Sequence, residues 1–156
     1  MAKLFDLTLT AHSAKETEDA GAMLASRILA NPDRFAADDN RFIAFYGDLG
    51  VGKTAFIRGL ASVIAPGIPV TSPTFALMNE YKGSKGTICH FDMYRITSDD
   101  DLYSIGFYDL TGVIIAAEWC ENIPYALPPH YLEVKILIPS LSENDRLISI
   151  REIGAE

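Results

Sequence analysis

The octapeptide Gly47-Asp48-Leu49-Gly50-Val51-Gly52-Lys53-Thr54 fits G-x-x-x-x-G-K-[ST], and its flanks constrain how the chain around it must fold. Before it, Phe42-Ile43-Ala44-Phe45-Tyr46 is an apolar run of the length of a buried strand. After it, residues 55–64 carry apolar side chains at helical spacing. Strand, glycine loop and helix in that order make a phosphate-binding loop. Gly47, Gly50 and Gly52 let the backbone curl without Cβ clashes, so successive N–H groups point at a phosphate while the new helix adds partial positive charge. Lys53 is placed to bridge the outer phosphates of a nucleoside triphosphate. The Thr54 hydroxyl is the oxygen that a hard cation such as Mg²⁺ takes. Asp48, Leu49, Gly50, Val51, Gly52, Lys53 and Thr54 are therefore candidate binding residues.

A chain of 156 residues suits one domain, 1–156, with room for a real core. Its formal charge of -8 gives a field that repels polyanions, so any contact with RNA is expected to be indirect or local. Cys89 and Cys120 lie far apart with no C-x-x-C spacing, which reads as two buried thiols and against a zinc or redox site. The start, Met1-Ala2-Lys3-Leu4-Phe5-Asp6, alternates polar and apolar residues. The expectation is a cytoplasmic protein without signal peptide or membrane span.

Residues 4–10 alternate like a half-exposed strand, and Ser13 with Glu16 makes a capping box for a helix through about Leu29. Residues 31–40 read as a loop. Pro66-Gly67 breaks the chain after the loop helix, and Thr71-Ser72-Pro73-Thr74-Phe75 begins an extended piece. Residues 75–81 and 87–91 flank the turn Lys82-Gly83-Ser84-Lys85-Gly86 and predict an antiparallel hairpin. Asp99-Asp100-Asp101 suits the positive end of a short helix. The most apolar strand is 112–117, ending at Glu118 and Trp119, and strands over 131–138 and 146–153 complete the sheet.

A phosphate loop needs an acid at a neighbouring strand end, to hold the metal and orient the attacking water. Glu118 closes the most apolar strand, as a Walker B acid does. Asp92 follows residues 87–91 within His90-x-Asp92-x-Tyr94-Arg95, and in a strand His90, Asp92 and Tyr94 would share one side. Both acids are read as functional. His90 is open between a catalytic and a hydrogen-bonded structural role. Thr71-Ser72-Pro73-Thr74-Phe75 lies where nucleotide switches keep a hydroxyl that senses the γ-phosphate, and the single tryptophan, Trp119, is open between core packing and a platform beside the site.

These residues together resemble the TsaE family, formerly YjeE. Beside the glycine loop, Ser72-Pro73-Thr74-Phe75, His90-Phe91-Asp92-Met93-Tyr94-Arg95, Asp101-Leu102 with Ile105-Gly106, Glu118-Trp119 and Leu127-Pro128 occur in that family's order. The resemblance implies a P-loop NTPase-like α/β fold: a mixed, mainly parallel sheet flanked by helices, with an antiparallel hairpin. It implies binding of ATP and Mg²⁺, slow hydrolysis by the chain alone, and action with the TsaD and TsaB proteins in threonylcarbamoyl modification of adenosine 37 in tRNA. The transfer itself would belong to TsaD. Carried over by position, Lys53 and Thr54 hold phosphate and metal, Thr74 lies in the switch-like segment, Asp92 and Glu118 serve metal and hydrolysis, and Trp119 neighbours the site. Val51 departs from the family's usual alanine, which is expected to shift the loop slightly.

Three other readings compete. A small-molecule P-loop kinase commonly needs an arginine-bearing lid, and the seven arginines here are scattered. A GTPase switch would read its base through N-K-x-D, which is absent, and Asp109-Leu110-Thr111-Gly112 fits D-x-x-G only on the wrong side of the apolar strand. A nucleotide-bound regulatory scaffold would differ mainly in turnover.

Overall fold

Residues of β2 (Arg41–Tyr46) and β5 (Ile114–Glu118) are buried on both faces, which is why their sequences are continuously apolar and do not alternate. The computed structural model describes residues 5–32, 40–48, 50–71, 73, 77–139 and 143–154. To these two strands the described residues add β1 (Asp6–Ala11), β3 (Met78–Gly83), β4 (Gly86–Asp92), β6 (Tyr131–Leu137) and β7 (Arg146–Ile153), all in one sheet of order β1-β7-β6-β2-β5-β4-β3. The central strands β6, β2, β5 and β4 run parallel, while β1, β7 and β3 attach antiparallel at the flanks. The mixed sheet with its hairpin is thus present, and its parallel part is the centre.

The hairpin is tighter than the sequence predicts. β3 and β4 pair as far as Gly83 and Gly86, leaving Ser84 and Lys85 as the turn in place of a five-residue loop. Gly86 carries a φ of 152°.

Helices α1 (Ala14–Ala30) and α2 (Lys53–Ile64) cover one face of the sheet. Leu24 and Ile28 from α1, and Phe56, Leu60 and Ile64 from α2, pack on Ile43, Phe45, Val134, Ile136, Ile148 and Ile150. Two glycines let the helices touch backbone to backbone. A Cβ on Gly21 would lie 2.0 Å from the Phe56 carbonyl oxygen, and one on Gly59 would lie 1.8 Å from that of Glu18. The N-terminus of α1 is capped as expected: the Glu16 N–H donates to Ser13 Oγ at 3.1 Å, and Glu16 reaches back to accept from the His12 N–H at 2.9 Å.

The other face, under β2, β5 and β4, is closed by α3 (Asp99–Ser104) and short turns. Leu102, Phe107, Cys120 and Ile123 pack there on Phe42, Ala44, Phe91 and Ile115. This cover reaches Tyr131 at the start of β6, beyond which burial alternates and Lys135 and Leu137 are exposed. Among the described residues, no helix is long and apolar enough to cross a membrane.

Candidate functional site

Parallel strands put their carboxyl ends at one edge, where open α/β sheets bind ligands. Here Phe45 of β2 and Asp92 of β4 are both in register with Glu118 of β5, so the glycine loop and both predicted acids emerge side by side. The loop turns through positive φ at Gly47 (143°), Gly50 (80°) and Gly52 (117°), and α2 begins at Lys53. A Cβ at Gly50 would meet open space, so glycine is required there for its backbone angle. At Gly47 room matters as well, because a Cβ would lie 2.5 Å from the Ile136 carbonyl oxygen.

Val51 is 4% exposed and belongs to the core cluster under the loop. Its N–H donates to the Asp48 carbonyl at 3.3 Å, and its own carbonyl accepts from Arg146 Nε at 2.7 Å. The larger side chain is accommodated by pointing inward, away from the cleft.

Lys53 crosses the loop that it ends. Its Nζ donates to the Gly47 carbonyl at 2.7 Å, stands 3.8 Å from Glu118 Oε1, and lies 5.2 Å from the centroid of the Trp119 ring. Lys53 and Glu118 are 5% and 8% exposed, yet both line a cleft of about 430 Å³ with Gly50, Gly52, Thr54 and Arg58. A second cavity of about 230 Å³ opens on the loop's other flank, toward Thr17 and Arg146.

Trp119 is, among the described residues, the one non-glycine residue with positive φ, at 61°. That conformation costs a bulky residue roughly 1–3 kcal/mol and tends to be kept where geometry matters. It sets the indole against the core cluster that includes Phe91 and Cys120 and also within reach of the Lys53 ammonium. Tyr94 stacks edge-on with it at 5.0 Å.

The expected alignment of His90, Asp92 and Tyr94 holds only for the first two. β4 ends at Asp92, whose carboxylate accepts from the Tyr94 N–H at 3.0 Å, and this turn carries Tyr94 out to the surface. His90 is fully buried, with Nε2 donating to Glu118 Oε2 at 2.6 Å. Cys89 and Cys120 are buried free thiols. Burial pushes Cys89 up to about 11 and raises Cys120 as well, which favours the protonated thiol in both. Leu49 and Thr74 lie outside the described residues.

Arg58, Arg146 and Tyr81 were not singled out by the sequence. Arg58 was within reach of inference, since it sits one helical turn beyond Thr54 and so shares its face. Arg146 touches the loop from 95 residues away, and no local pattern announces that.

The donor set suits a nucleotide with a hard cation. The first turn of a twelve-residue helix and the Lys53 ammonium favour phosphate, and the Thr54 hydroxyl with two carboxylates offers oxygen ligands. Among the described residues, no group of three or more His, Cys, Asp or Glu converges as a metal cage.

The profile of the threonylcarbamoyl adenosine biosynthesis protein TsaE matches residues 11–148. The chain belongs to the TsaE family. It is similar to the tRNA threonylcarbamoyladenosine biosynthesis protein TsaE of Rickettsia prowazekii, 36% identical over 145 residues that cover 92% of this chain and 93% of that one. The Rickettsia conorii TsaE is 36% identical over 90% of this chain and 75% of its own. The crystal structure of Bacillus subtilis YdiB superposes with a TM-score of 0.68 at 24% identity, covering 99% of this chain and 89% of that one, a likeness of fold. TsaE membership assigns the chain to tRNA threonylcarbamoyladenosine biosynthesis, and its glycine loop sits where a P-loop fold puts it.

Proposed function

We propose that this chain binds ATP with Mg²⁺, hydrolyses it slowly alone, and works with TsaD and TsaB to support threonylcarbamoyl modification of adenosine 37 in tRNA. What carries the reading is one arrangement: Lys53 Nζ held between the Gly47 carbonyl and Glu118 Oε1, at the start of α2 and facing the 430 Å³ cleft. When phosphate arrives, Lys53 can exchange the neutral carbonyl for an anionic oxygen, a stronger charge-assisted bond. The amides of the loop and of the first turn of α2 orient the phosphates. Bound Mg²⁺ would neutralise charge on the outer phosphates, with the Thr54 hydroxyl as its protein ligand and Asp92 and Glu118 holding its water shell. Glu118 also stands where it can orient an attacking water.

A net charge of -8 disfavours gripping tRNA non-specifically, which supports a reading in which tRNA is met through the protein partners. Reconstitution of threonylcarbamoyladenosine formation from purified components tests the assignment: repeated turnover should require this chain and ATP. Sustained turnover without it would remove the pathway role.

A further inference from the structure

We propose that His90 is the positioning residue of this site, fixing the Glu118 carboxylate through Nε2 and tying it through Tyr81 to the backbone at Thr71. The inference rests on the hydrolytic reading above and adds a specific residue and a coupling to it.

His90 is 0% exposed on β4, between β5 and the edge strand β3. An imidazole is costly to bury there unless both ring nitrogens are satisfied. Nε2 lies 2.6 Å from Glu118 Oε2, and Nδ1 lies 3.1 Å from the Tyr81 hydroxyl. Tyr81 sits on β3, diagonal to His90 across the β3–β4 ladder, and is 3% exposed. Its hydroxyl is also 2.9 Å from the Thr71 carbonyl oxygen. One connected path therefore runs from Thr71 through Tyr81, His90 and Glu118 to Lys53.

The direction of the bonds follows from counting donors. A tyrosine hydroxyl has one proton, and here it has two acceptors in reach, Thr71 O and His90 Nδ1. The Thr71 carbonyl has a second donor, Asn79 Nδ2, at 2.9 Å, so it stays satisfied without Tyr81. Among the described residues, Nδ1 has only the hydroxyl. When Tyr81 donates to Nδ1, the ring carries its proton on Nε2, which is the tautomer that donates to the Glu118 carboxylate. A displacement of Thr71, the first residue of the segment read as a nucleotide sensor, changes the competition for the Tyr81 proton and so the hold on Glu118.

Pinning one carboxylate oxygen leaves the other for chemistry. A glutamate has three side-chain torsions, and a water-orienting oxygen must be held to a fraction of an ångström. With Oε2 bound to His90, Oε1 is the atom left facing Lys53 and the cleft. Asp92 differs: among the described residues, the bond observed for its carboxylate is to the Tyr94 N–H of its own turn.

The test compares His90→Gln, His90→Asn, Tyr81→Phe and Glu118→Gln in the full chain, by steady-state ATP hydrolysis, calorimetric ATP affinity, thermal melting and Trp119 emission. A glutamine amide nitrogen falls near the Nε2 position and can keep the Glu118 bond, whereas an asparagine nitrogen falls near Nδ1 and cannot. His90→Asn should lower kcat about tenfold or more with ATP affinity within about threefold, and His90→Gln should restore most of the loss. Tyr81→Phe should lower kcat roughly two- to fivefold, and Trp119 emission should shift in His90→Asn but not in His90→Gln. Equal kcat for His90→Asn and His90→Gln, at any level, overturns the inference. If His90→Asn fails to fold, Tyr81→Phe decides: wild-type kcat overturns the inference and a lowered kcat at unchanged affinity supports it. Wild-type hydrolysis by Glu118→Gln would sink the hydrolytic reading and this inference with it. A dead Glu118→Gln beside a wild-type-like His90→Asn would sink this inference alone.

Discussion

Lys53 Nζ lies 2.7 Å from the Gly47 carbonyl oxygen, so the side chain at the end of the phosphate loop closes the loop onto its first residue. The bond is made to a neutral acceptor, and the ammonium faces the cleft. Lys53→Ala should therefore weaken ATP binding roughly ten- to a hundredfold, the range of a lost hydrogen bond to a charged group, while the fold persists. Titration calorimetry with ATP and Mg²⁺, together with circular dichroism, checks both parts. Unchanged affinity with unchanged hydrolysis would count against the nucleotide site as a whole.

Asp92 separates structural from functional loss in a single position. Its carboxylate accepts from the Tyr94 N–H at 3.0 Å, and an asparagine oxygen can do the same. Asp92→Asn should keep the turn and the melting temperature while lowering ATP hydrolysis by about tenfold or more, because the charge and not the acceptor is lost. Asp92→Ala should lose both. Hydrolysis by Asp92→Asn at the wild-type rate would make this residue purely a turn former.

Arg146 reaches the loop from the start of β7. Its Nε donates to the Val51 carbonyl at 2.7 Å, while one of its terminal nitrogens holds the Glu143 and Asp145 carbonyls at 2.9 Å each. The loop is thereby held partly assembled before any phosphate arrives. Removing that preorganisation by Arg146→Ala should weaken ATP binding by about fivefold, near the net worth of one hydrogen bond. Arg146→Lys should recover little, since a lysine cannot reproduce the three-acceptor fork. Equal affinity for Arg146→Ala and wild type in a competition assay would discard the clamp.

Much of this was legible because the signals are local. Ser13 and Glu16 announce the start of α1, the glycine loop announces β2 and α2, and the unbroken apolar runs of β2 and β5 announce burial on both faces. The alternation along β6 was equally readable, but it reports one covered face and says nothing of strand direction. That is why the antiparallel flank β1-β7-β6 could not be ordered from sequence. Site contacts divide in the same way. Lys53 and Thr54 follow from one motif, whereas the His90–Glu118 bond spans 28 residues and depends on two strands being neighbours in register.

Gly59 supplies a stability test independent of function. Helix propensity alone favours alanine over glycine there by about 1 kcal/mol. A Cβ at that position, however, would stand 1.8 Å from the Glu18 carbonyl oxygen, a backbone atom of α1 that cannot step aside without moving the helix. Sterics should win: Gly59→Ala is expected to destabilise the fold by about 1–3 kcal/mol, as overpacked cores do. Urea denaturation measures it, and an unchanged or raised midpoint would show that α1 and α2 can separate without cost.

The buried thiols give the chain a basic limit. Cys89 is 0% exposed, and burial, aided by the nearby Glu80 carboxylate and opposed by Lys82, pushes its thiol up to about 11 from an ordinary value near 8.5. Cys120 is raised by burial in the same direction. The folded state thus holds these protons more tightly than the unfolded chain does. Their stabilising contribution is complete below about pH 8.5, declines as unfolded thiols ionise, and is lost as pH rises through the folded value near 11 for Cys89. Stability should accordingly fall between about pH 8.5 and 11, and Cys89→Ala should flatten part of that fall at the expense of a small cavity. Paired denaturation curves at neutral and alkaline pH measure the effect. At pH 8 the native protein should resist a thiol reagent such as dithionitrobenzoate until denaturant is added. Rapid modification of Cys89 in the native state would contradict its burial in β4 and this assignment of the alkaline limit.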